Sequence, residues 1–512
     1  MRIIRHRKDA ENSCLAIALS PVSSPRHRPP VVRGHVRRSA SQVAGLFTEL
    51  LGIRYVSRYC AQRYEMIGEL LSREEHDLAL LQEVWSEKDY LFLKKNLACT
   101  HPHSHYFKSG VIGSGLAVFS RHKIHDAFLY RFSLNGYPYM LHHGDWFGGK
   151  AVGMVIVNIF GLTAHVYVTH LHAEYCREKD GYLPHRVVQS WELQQFVRHT
   201  SSGADMVILG GDLNMHPQDL GNRLIRTYTG LRDCYTETDK FDGCDGGITL
   251  IAENPFTNKK ELAPFEKGIR IDYILFKGSK KVSVKCESLS TTRGSVPGKA
   301  FPYSDHESLS AELLLRRTEE AEEGEGGHDR YAGTKEDGRL QAHSLKALHI
   351  LMGPLQADLV IGPIGLTPPE LVDTVTEART EVKVGLHLAE RMRHTATRIG
   401  AMGLVLLVLE LAIAAVPWLA LGTQQPFPRT SFYLLGALCF AILLTTMLLY
   451  VFYTTQVKAL QGAEDQMRLA AGSLQDALRG FPRVGHQGEP SLRGQDSQGP
   501  APRGPAPLGR EE

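Results

Sequence analysis

The sequence predicts an α/β domain followed by a pair of helices long enough to cross a membrane. Three observations lead there. Between residues 46 and 316, apolar runs of strand length such as "LALLQEVW", "VILGGDLN" and "IRIDYILF" are interspersed with segments of helical spacing. Residues 399–421 and 431–453 are two apolar blocks, each as long as a bilayer core is thick, with Glu410 as their only charge. A charged, glycine-rich stretch over 317–342, "TEEAEEGEGGHDRYAGTKEDG", separates the two parts and reads as a flexible linker.

The elements follow in order. Residues 1–45, rich in Arg, Pro and Ser and poor in acids, read as disordered. They resemble neither a secretory signal nor, given the prolines, an amphipathic presequence helix. "RYEMIGELLSREE" is helix-like and precedes the strand "HDLALLQEVW". "GSGLAVFSR" is a strand, and "GMVIVNIFGLTAHVYVTHLHAEY" is two strands around a turn near Gly161. In "HRVVQSWELQQFVRHT", Val187, Trp191 and Phe196 are expected on roughly one helical face. "ADMVILGGDLN", "GIRIDYILFK" and "YSDHESLSAELLL" complete the domain. Residues 343–398 form a helical juxtamembrane region, the spans are 399–421 and 431–453, and 480–512 is a disordered Pro/Gly/Gln/Arg tail.

Charge and cysteines narrow the classes. Of 512 residues, 58 are Lys or Arg and 55 Asp or Glu, so the net charge of +3 says little about partners. No dense basic stripe interleaved with aromatics occurs in residues 52–316, so no nucleic-acid partner is expected. The eight cysteines lack C-x-x-C spacing and read as free thiols in a reducing compartment. Arg391, Arg393 and Arg398 precede the first span and Lys458 follows the second, while the connector holds only Arg429. By the positive-inside rule both ends, and the α/β domain, face the cytosol. Glu410 is expected either protonated or turned towards the neighbouring helix.

The strand ends carry the chemistry. "LALLQEVW" yields Glu83, "VYVTHLHAEY" yields His170 and His172, "VILGGDLN" yields Asp212 and Asn214, "IRIDYILF" yields Asp272, and "YSDHES" yields Asp305 and His306. A buried carboxylate is costly unless compensated. Five strands ending this way suggest one polar pocket. Oxygen donors suit a hard cation such as Mg²⁺, and histidines beside carboxylates suit general acid–base work. Together they point to phosphoester hydrolysis.

The motifs L-Q-E-V-W, T-H-L, G-D-L-N, I-D-Y and S-D-H, in that order, resemble the endonuclease/exonuclease/phosphatase superfamily, which has a four-layered, deoxyribonuclease I-like β-sandwich flanked by helices. Longer strings such as "LNGYPYMLHHGDWFGGKAVG" and "GDLNMHP", with the apolar pair behind them, look like its membrane-anchored neutral sphingomyelinases. The resemblance implies an Mg²⁺-dependent phosphodiesterase that cleaves sphingomyelin, with choline lysophospholipids as further candidates, at a cytosol-facing membrane such as the endoplasmic reticulum. It implies Glu83 as metal ligand, with Asp305 holding metal or substrate. His306 would be the base oriented by Asp272, and Asp212 would handle the leaving oxygen. Asn214 and His170 would bind phosphoryl oxygens, and Asp145 and Lys150 of "GDWFGGK" would set the active arrangement.

Each residue has a plainer alternative. Glu83 could cap the helix of "VWSEKDY", Asp212 and Asn214 could make an Asx-turn, Asp272 could pair with Arg270, and Lys150 could be solvated. Since His170 and His172 alternate along a strand, only His170 is expected in the pocket. His101, His103 and His105 read as a polar loop. One departure stands out. The family's first strand carries an asparagine that completes the metal site, whereas "SASQVAGLFTEL" has neither an asparagine nor strand alternation. The first strand is therefore expected to be missing, which leaves a catalytically impaired scaffold, or a nuclease or inositol-phosphate phosphatase of the same fold, as rivals.

Overall fold

The computed structural model describes residues 2–5, 58–74, 76–141, 143–257, 262, 264–318, 368–421 and 429–480. In chain order the strands are β1 (Arg2–Arg5), β2 (Leu78–Leu81), β3 (His103–Phe107), β4 (Leu116–Ser120), β5 (Ile124–Arg131), β6 (Ala151–Ile159), β7 (Leu162–His170) and β8 (Met206–Asp212). They continue with β9 (Arg232–Asp233), β10 (Phe241–Asp242), β11 (Leu250–Ile251), β12 (Gly268–Ile269), β13 (Asp272–Gly278), β14 (Val282–Thr291) and β15 (Leu309–Arg317). The helices are α1 (Cys60–Glu74), α2 (Glu87–Asn96), α3 (Asp145–Gly148), α4 (Leu183–Thr200), α5 (Leu220–Thr229), α6 (Cys234–Glu237), α7 (Pro368–Leu421) and α8 (Arg429–Gly480).

Two sheets, ordered β10-β14-β15-β1-β2-β4-β3 and β5-β6-β7-β8-β13-β9, pack face to face. Leu78, Leu80 and Val118 of the first meet Val155, Val166, Ile208 and Ile274 of the second in the central core. The outer face of the first sheet buries Ala79, Leu81 and Phe119 with Leu71 of α1 and Leu93 of α2. The outer face of the second buries Tyr167, Val207 and Leu209 with Leu193 of α4 and Ile225 of α5. The result is the expected four layers.

β8 explains why "VILGGD" is so apolar: Met206 and Ile208 face the other sheet while Val207 and Leu209 face the helices, so both sides are buried. Gly211 has no room for a side chain, because a Cβ there would lie 2.2 Å from the Thr169 carbonyl oxygen of β7. The β6–β7 hairpin turns at Phe160 (φ 54°) and Gly161 (φ 82°), the pair of positive angles that a two-residue type I′ turn requires. Helix α2 starts on Ser86, whose hydroxyl accepts from the Lys88 amide at 3.2 Å. The cap is Ser86 and not Glu83.

Two expectations are corrected. Arg2–Arg5 is a strand, parallel to β15 and antiparallel to β2, so the central position expected to be empty is filled. The neighbouring ladders explain why: β15 and β2 each offer a row of backbone groups that a short β-branched segment satisfies on both edges. The strand is Arg-Ile-Ile-Arg and brings no asparagine. On α4, Val187 and Trp191 face α7 and α8, but Phe196 turns to the sheet and stacks with Phe128 and Tyr130. A separation of nine residues is two and a half helical turns, which reverses the face. The apolar blocks are parts of much longer helices, α7 and α8, of 54 and 52 residues.

Val375, Ala378, Val382, Val457, Leu460 and Met467, outside the apolar blocks, pack against Val188 and Trp191 of α4 and Leu224 of α5. Within the blocks leucines and valines are exposed, as two apolar helices without a protein coat would be. Glu410 faces its neighbour: its Oε1 lies 3.4 Å from where a Cβ of Gly436 would stand. The expected linker beyond Thr318, residues 343–367 and the tail beyond Gly480 lie outside the described residues, as do 6–57. All seven cysteines among the described residues are free.

Replacing Gly211 by alanine should lower the thermal midpoint by several degrees, the effect of about 1–3 kcal/mol of overpacking. Gly181→Ala, where a Cβ meets nothing within 4 Å, should leave it unchanged. Circular-dichroism melts of the two variants check this.

Candidate active site

Strand register assembles the site. Asp212 at the end of β8 is directly opposite His170 on β7 and Asp272 on β13, so three residues distant in sequence form one row. The row opens into a pocket of about 680 Å³ that Glu83, Asp145, Lys150, Asn214, Asp305 and His306 also line. All nine site residues expected from the sequence therefore meet in one cavity.

His306 is tied into the row by its Nδ1, 2.8 Å from Asp272 Oδ2. Burial works against a proton on this imidazole, but the charge and hydrogen bond of Asp272 outweigh it, raising the pKa well above the ordinary histidine value. Asp272 is held in turn by its own amide, which donates to Thr249 Oγ1 at 3.2 Å. Arg270, the alternative partner of Asp272, pairs with Asp233 at 2.6 Å.

Asp212 does two things. Its Oδ1 accepts from the Asn214 amide at 2.8 Å, so the Asx-turn is real, and it also belongs to the pocket. Burial, then the neighbouring Asp272, pushes its carboxyl up to about 6. The Asn214 side-chain amide donates to Leu171 O at 2.9 Å and to Asp212 Oδ2 at 3.1 Å. The turn holds Asn214 at φ 49°, a left-handed angle that asparagine tolerates. Glu83 is held at φ 60°, which is harder for a residue without a short polar side chain. Gly115 packs against its backbone: a Cβ there would lie 3.1 Å from the Glu83 Cα and N. Glu83 is open to the pocket but surrounded by protein, and burial, then Asp305, raises its carboxyl to about 7.

Lys150 is not solvated. It is 3% exposed, and its Nζ contacts Asp145 Oδ1 at 2.8 Å, His170 Nε2 at 2.9 Å and Leu171 O at 2.7 Å. Since the ammonium can only donate, His170 Nε2 accepts, and the ring proton sits on Nδ1. Burial and the adjacent ammonium hold His170 well below its ordinary pKa, hence neutral. Burial would raise the Asp145 carboxyl, but His172 and Lys150 outweigh it and keep it well below the usual range.

As expected, His170 lines the pocket and His172 does not; it is fully buried behind Asp145. Its Nε2 lies 3.5 Å from Asp145 Oδ2, and its ring stacks on Tyr182. Tyr175, which donates to Asp145 Oδ2 at 2.6 Å, was not singled out from the sequence. Its place three residues after His172, beside Glu174, was the available signal. His103 and His105 lie on β3 and His101 is buried just before it, all apart from the pocket.

The residues fit a divalent cation. Carboxylates pushed up to about 7 and 6 signal acids short of positive charge, and a set of oxygen donors suits a hard ion. The charge of Asp305 reaches Glu83 across the pocket. Among the described residues the tightest set of ligand atoms is different, with Asp212, Asp272 and His306 all within 4.8 Å of one another. The His306–Asp272 hydrogen bond already joins two members of that set.

A protein-family model described as the Endonuclease/Exonuclease/phosphatase family matches residues 51–306. Sphingomyelin phosphodiesterase 2 of Mus musculus is 44% identical over 363 residues, covering 71% of this chain and 78% of that protein. Its Homo sapiens counterpart is 51% identical over 267 residues, covering 52% of this chain and 63% of that protein, so the alignment spans less than two thirds of the human relative. A crystal structure of beta toxin from Staphylococcus aureus matches with a TM-score of 0.41 at 17% identity, over 53% of this chain and 97% of that one.

Two outcomes follow from the buried charges. Asp145→Asn strands the Lys150 ammonium and should cost about 3–5 kcal/mol in urea unfolding, while Asp145→Asn with Lys150→Met should recover part of that loss. Glu83 has its folded pKa raised, so its contribution to stability is full below its unfolded pKa near 4.5 and is lost as pH rises through about 7. Melts of metal-free protein should therefore find Glu83→Gln and wild type alike at acid pH and the variant more stable above pH 7, with added Mg²⁺ erasing its advantage.

Proposed function

Because the chain belongs to the endonuclease/exonuclease/phosphatase family, with sphingomyelin phosphodiesterases among its relatives, we propose that it hydrolyses sphingomyelin to ceramide and phosphocholine at a membrane surface. The observation that carries this reading is the His306–Asp272 pair facing buried carboxylates, Asn214 and His170 across one pocket.

In this reading His306 is the general base from its neutral form, which a cation bound beside Asp305 and Asp212 would favour by offsetting the acids that hold a proton on the ring. Asp272 fixes its Nδ1, which leaves Nε2 to take the proton of the attacking water, and the same carboxylate stabilises the resulting imidazolium. The water oxygen bonds to phosphorus as the bond from phosphorus to the ceramide oxygen breaks. Asp212, pushed up to about 6 and so protonated in part of the molecules near neutral pH, supplies a proton to that leaving oxygen. Asn214 donates to the phosphoryl oxygens, and His170 lines the pocket beside it. Asn214 exchanges a bond to Leu171 or Asp212 to do so. Lys150 keeps His170 neutral and aimed, and Asp145, which accepts from Tyr175, holds Lys150 in place. Glu83 and Asp305 would hold Mg²⁺, which when bound stabilises negative charge on the phosphodiester.

The helices α7 and α8 supply the membrane. Their apolar blocks cross it as a hairpin, and the arginines before the first and Lys458 after the second put the pocket on the cytosolic side. The endoplasmic reticulum is the compartment implied by resemblance, and lysophospholipids with a choline headgroup are further substrates. The absence of asparagine from β1 favours weaker metal binding than a complete ligand set would give.

Full-length protein incubated with labelled sphingomyelin in mixed micelles should release phosphocholine only with Mg²⁺, and His306→Ala should reduce the rate by roughly 10²–10⁴-fold. No release with Mg²⁺ would leave a membrane-bound scaffold. Equal release by wild type and variant would remove His306 from the base role.

A further inference from the structure

The loop between β5 and α3 links the pocket to the apolar helices. It contains Tyr137-Pro-Tyr-Met-Leu141, five residues without a charge. Tyr139 and Leu141 are 44% and 51% exposed. Tyr453 closes the uncharged block of α8 and donates from its hydroxyl to the Tyr139 hydroxyl at 2.8 Å. One turn further along, Gln456 Nε2 donates to Gly136 O at 3.1 Å, and Phe452 meets the Tyr137 ring edge-on at 6.2 Å. The level of Tyr453 is itself set by the hairpin: Gly400 at the start of the first block faces Thr446, one to two turns before Tyr453. The other end of the loop enters the pocket, where the Tyr175 hydroxyl donates to Asp145 and lies 2.8 Å from His143 O.

We propose that Tyr137–Leu141 is a lip that seats in the headgroup layer of the bilayer and brings the pocket mouth to the lipid. The occupant is the membrane, because the segment is hydrogen-bonded to the residue at which the apolar block ends. Tyrosine suits that layer, with an apolar ring and a hydroxyl that keeps a partner. Leu141, four residues before Asp145, reaches beyond it. The scissile phosphodiester of a membrane lipid lies at the same depth, so the lip shortens the distance over which a headgroup leaves the bilayer. This inference rests on the reading of α7 and α8 as spans and of the pocket as the hydrolytic site.

The test uses full-length protein reconstituted in phosphatidylcholine vesicles carrying sphingomyelin. Leu141→Glu should slow vesicle hydrolysis by roughly tenfold, the loss of a leucine's interfacial burial, yet change cleavage of a water-soluble chromogenic phosphocholine ester by less than about twofold. Leu91→Glu, at an equally exposed leucine on α2, should affect neither. Equal losses on both substrates, or none on vesicles, would overturn the lip. A second measurement is independent of turnover: Leu141→Trp should gain emission that bromolipids quench, relative to the parent, and Leu91→Trp should not. Equal quenching of the two would overturn the lip even if wild type cleaved neither substrate, an outcome that by itself would reject the hydrolase reading instead.

Discussion

The register between β7, β8 and β13 is the constraint on which the molecule depends. Asp212 is opposite His170 on one side and Asp272 on the other. A slip of one residue in either ladder would turn every side chain of a strand to the opposite face and break the row. Burial of both faces of β8 prevents that slip, since Ile208 and Leu209 have separate cores to fill. Packing specificity and chemical geometry are thus one property here. Gly211, pressed against Thr169, is where the two meet, because the approach of β7 that excludes a Cβ also brings His170 beside Asp212.

Around this row the electrostatics divides into two halves with opposite character. On one side Lys150, Asp145 and Tyr175 form a buried hydrogen-bonded network in which the ammonium and the carboxylate pair. On the other, Glu83, Asp305, Asp212 and Asp272 bring acids together, and burial with mutual repulsion raises Glu83 and Asp212. The first half is rigid and defines the state of His170. The second is poised for a cation and a substrate phosphate, and the left-handed backbone at Glu83 marks strain that the surrounding packing sustains.

The long helices connect this site to the apolar blocks by packing. Their juxtamembrane turns share a core with α4 and α5, the helices covering the second sheet. Trp191 donates to Gln466 at 3.0 Å, and Arg223 pairs with Glu377 at 2.6 Å. With these contacts, α7 and α8 hold the domain in a fixed orientation relative to the apolar hairpin, and the loop leading to Asp145 lies on the side nearest Tyr453.

Much was legible in the sequence because it is encoded locally. Strand periodicity, a turn at Gly161, two apolar blocks and an acid, amide or imidazole at each of five strand ends need only neighbouring residues to be read, and the family motifs gave order to those ends. Four things were decided by tertiary structure. His172 lies between Asp145 and the Tyr182 ring because the segments carrying them converge on it; Phe196 turns away from Val187 because nine residues reverse a helical face; Arg2–Arg5 becomes a strand because two distant ladders leave a place for it; and Lys150 is buried because Asp145, His170 and Leu171 converge on it. By itself the sequence determined which groups were available and the period of each segment, since these follow from covalent order. Which groups meet, and which charges stay unpaired, was decided by the packing of two sheets and two long helices, because a side chain's partners depend on contacts that covalent order does not contain.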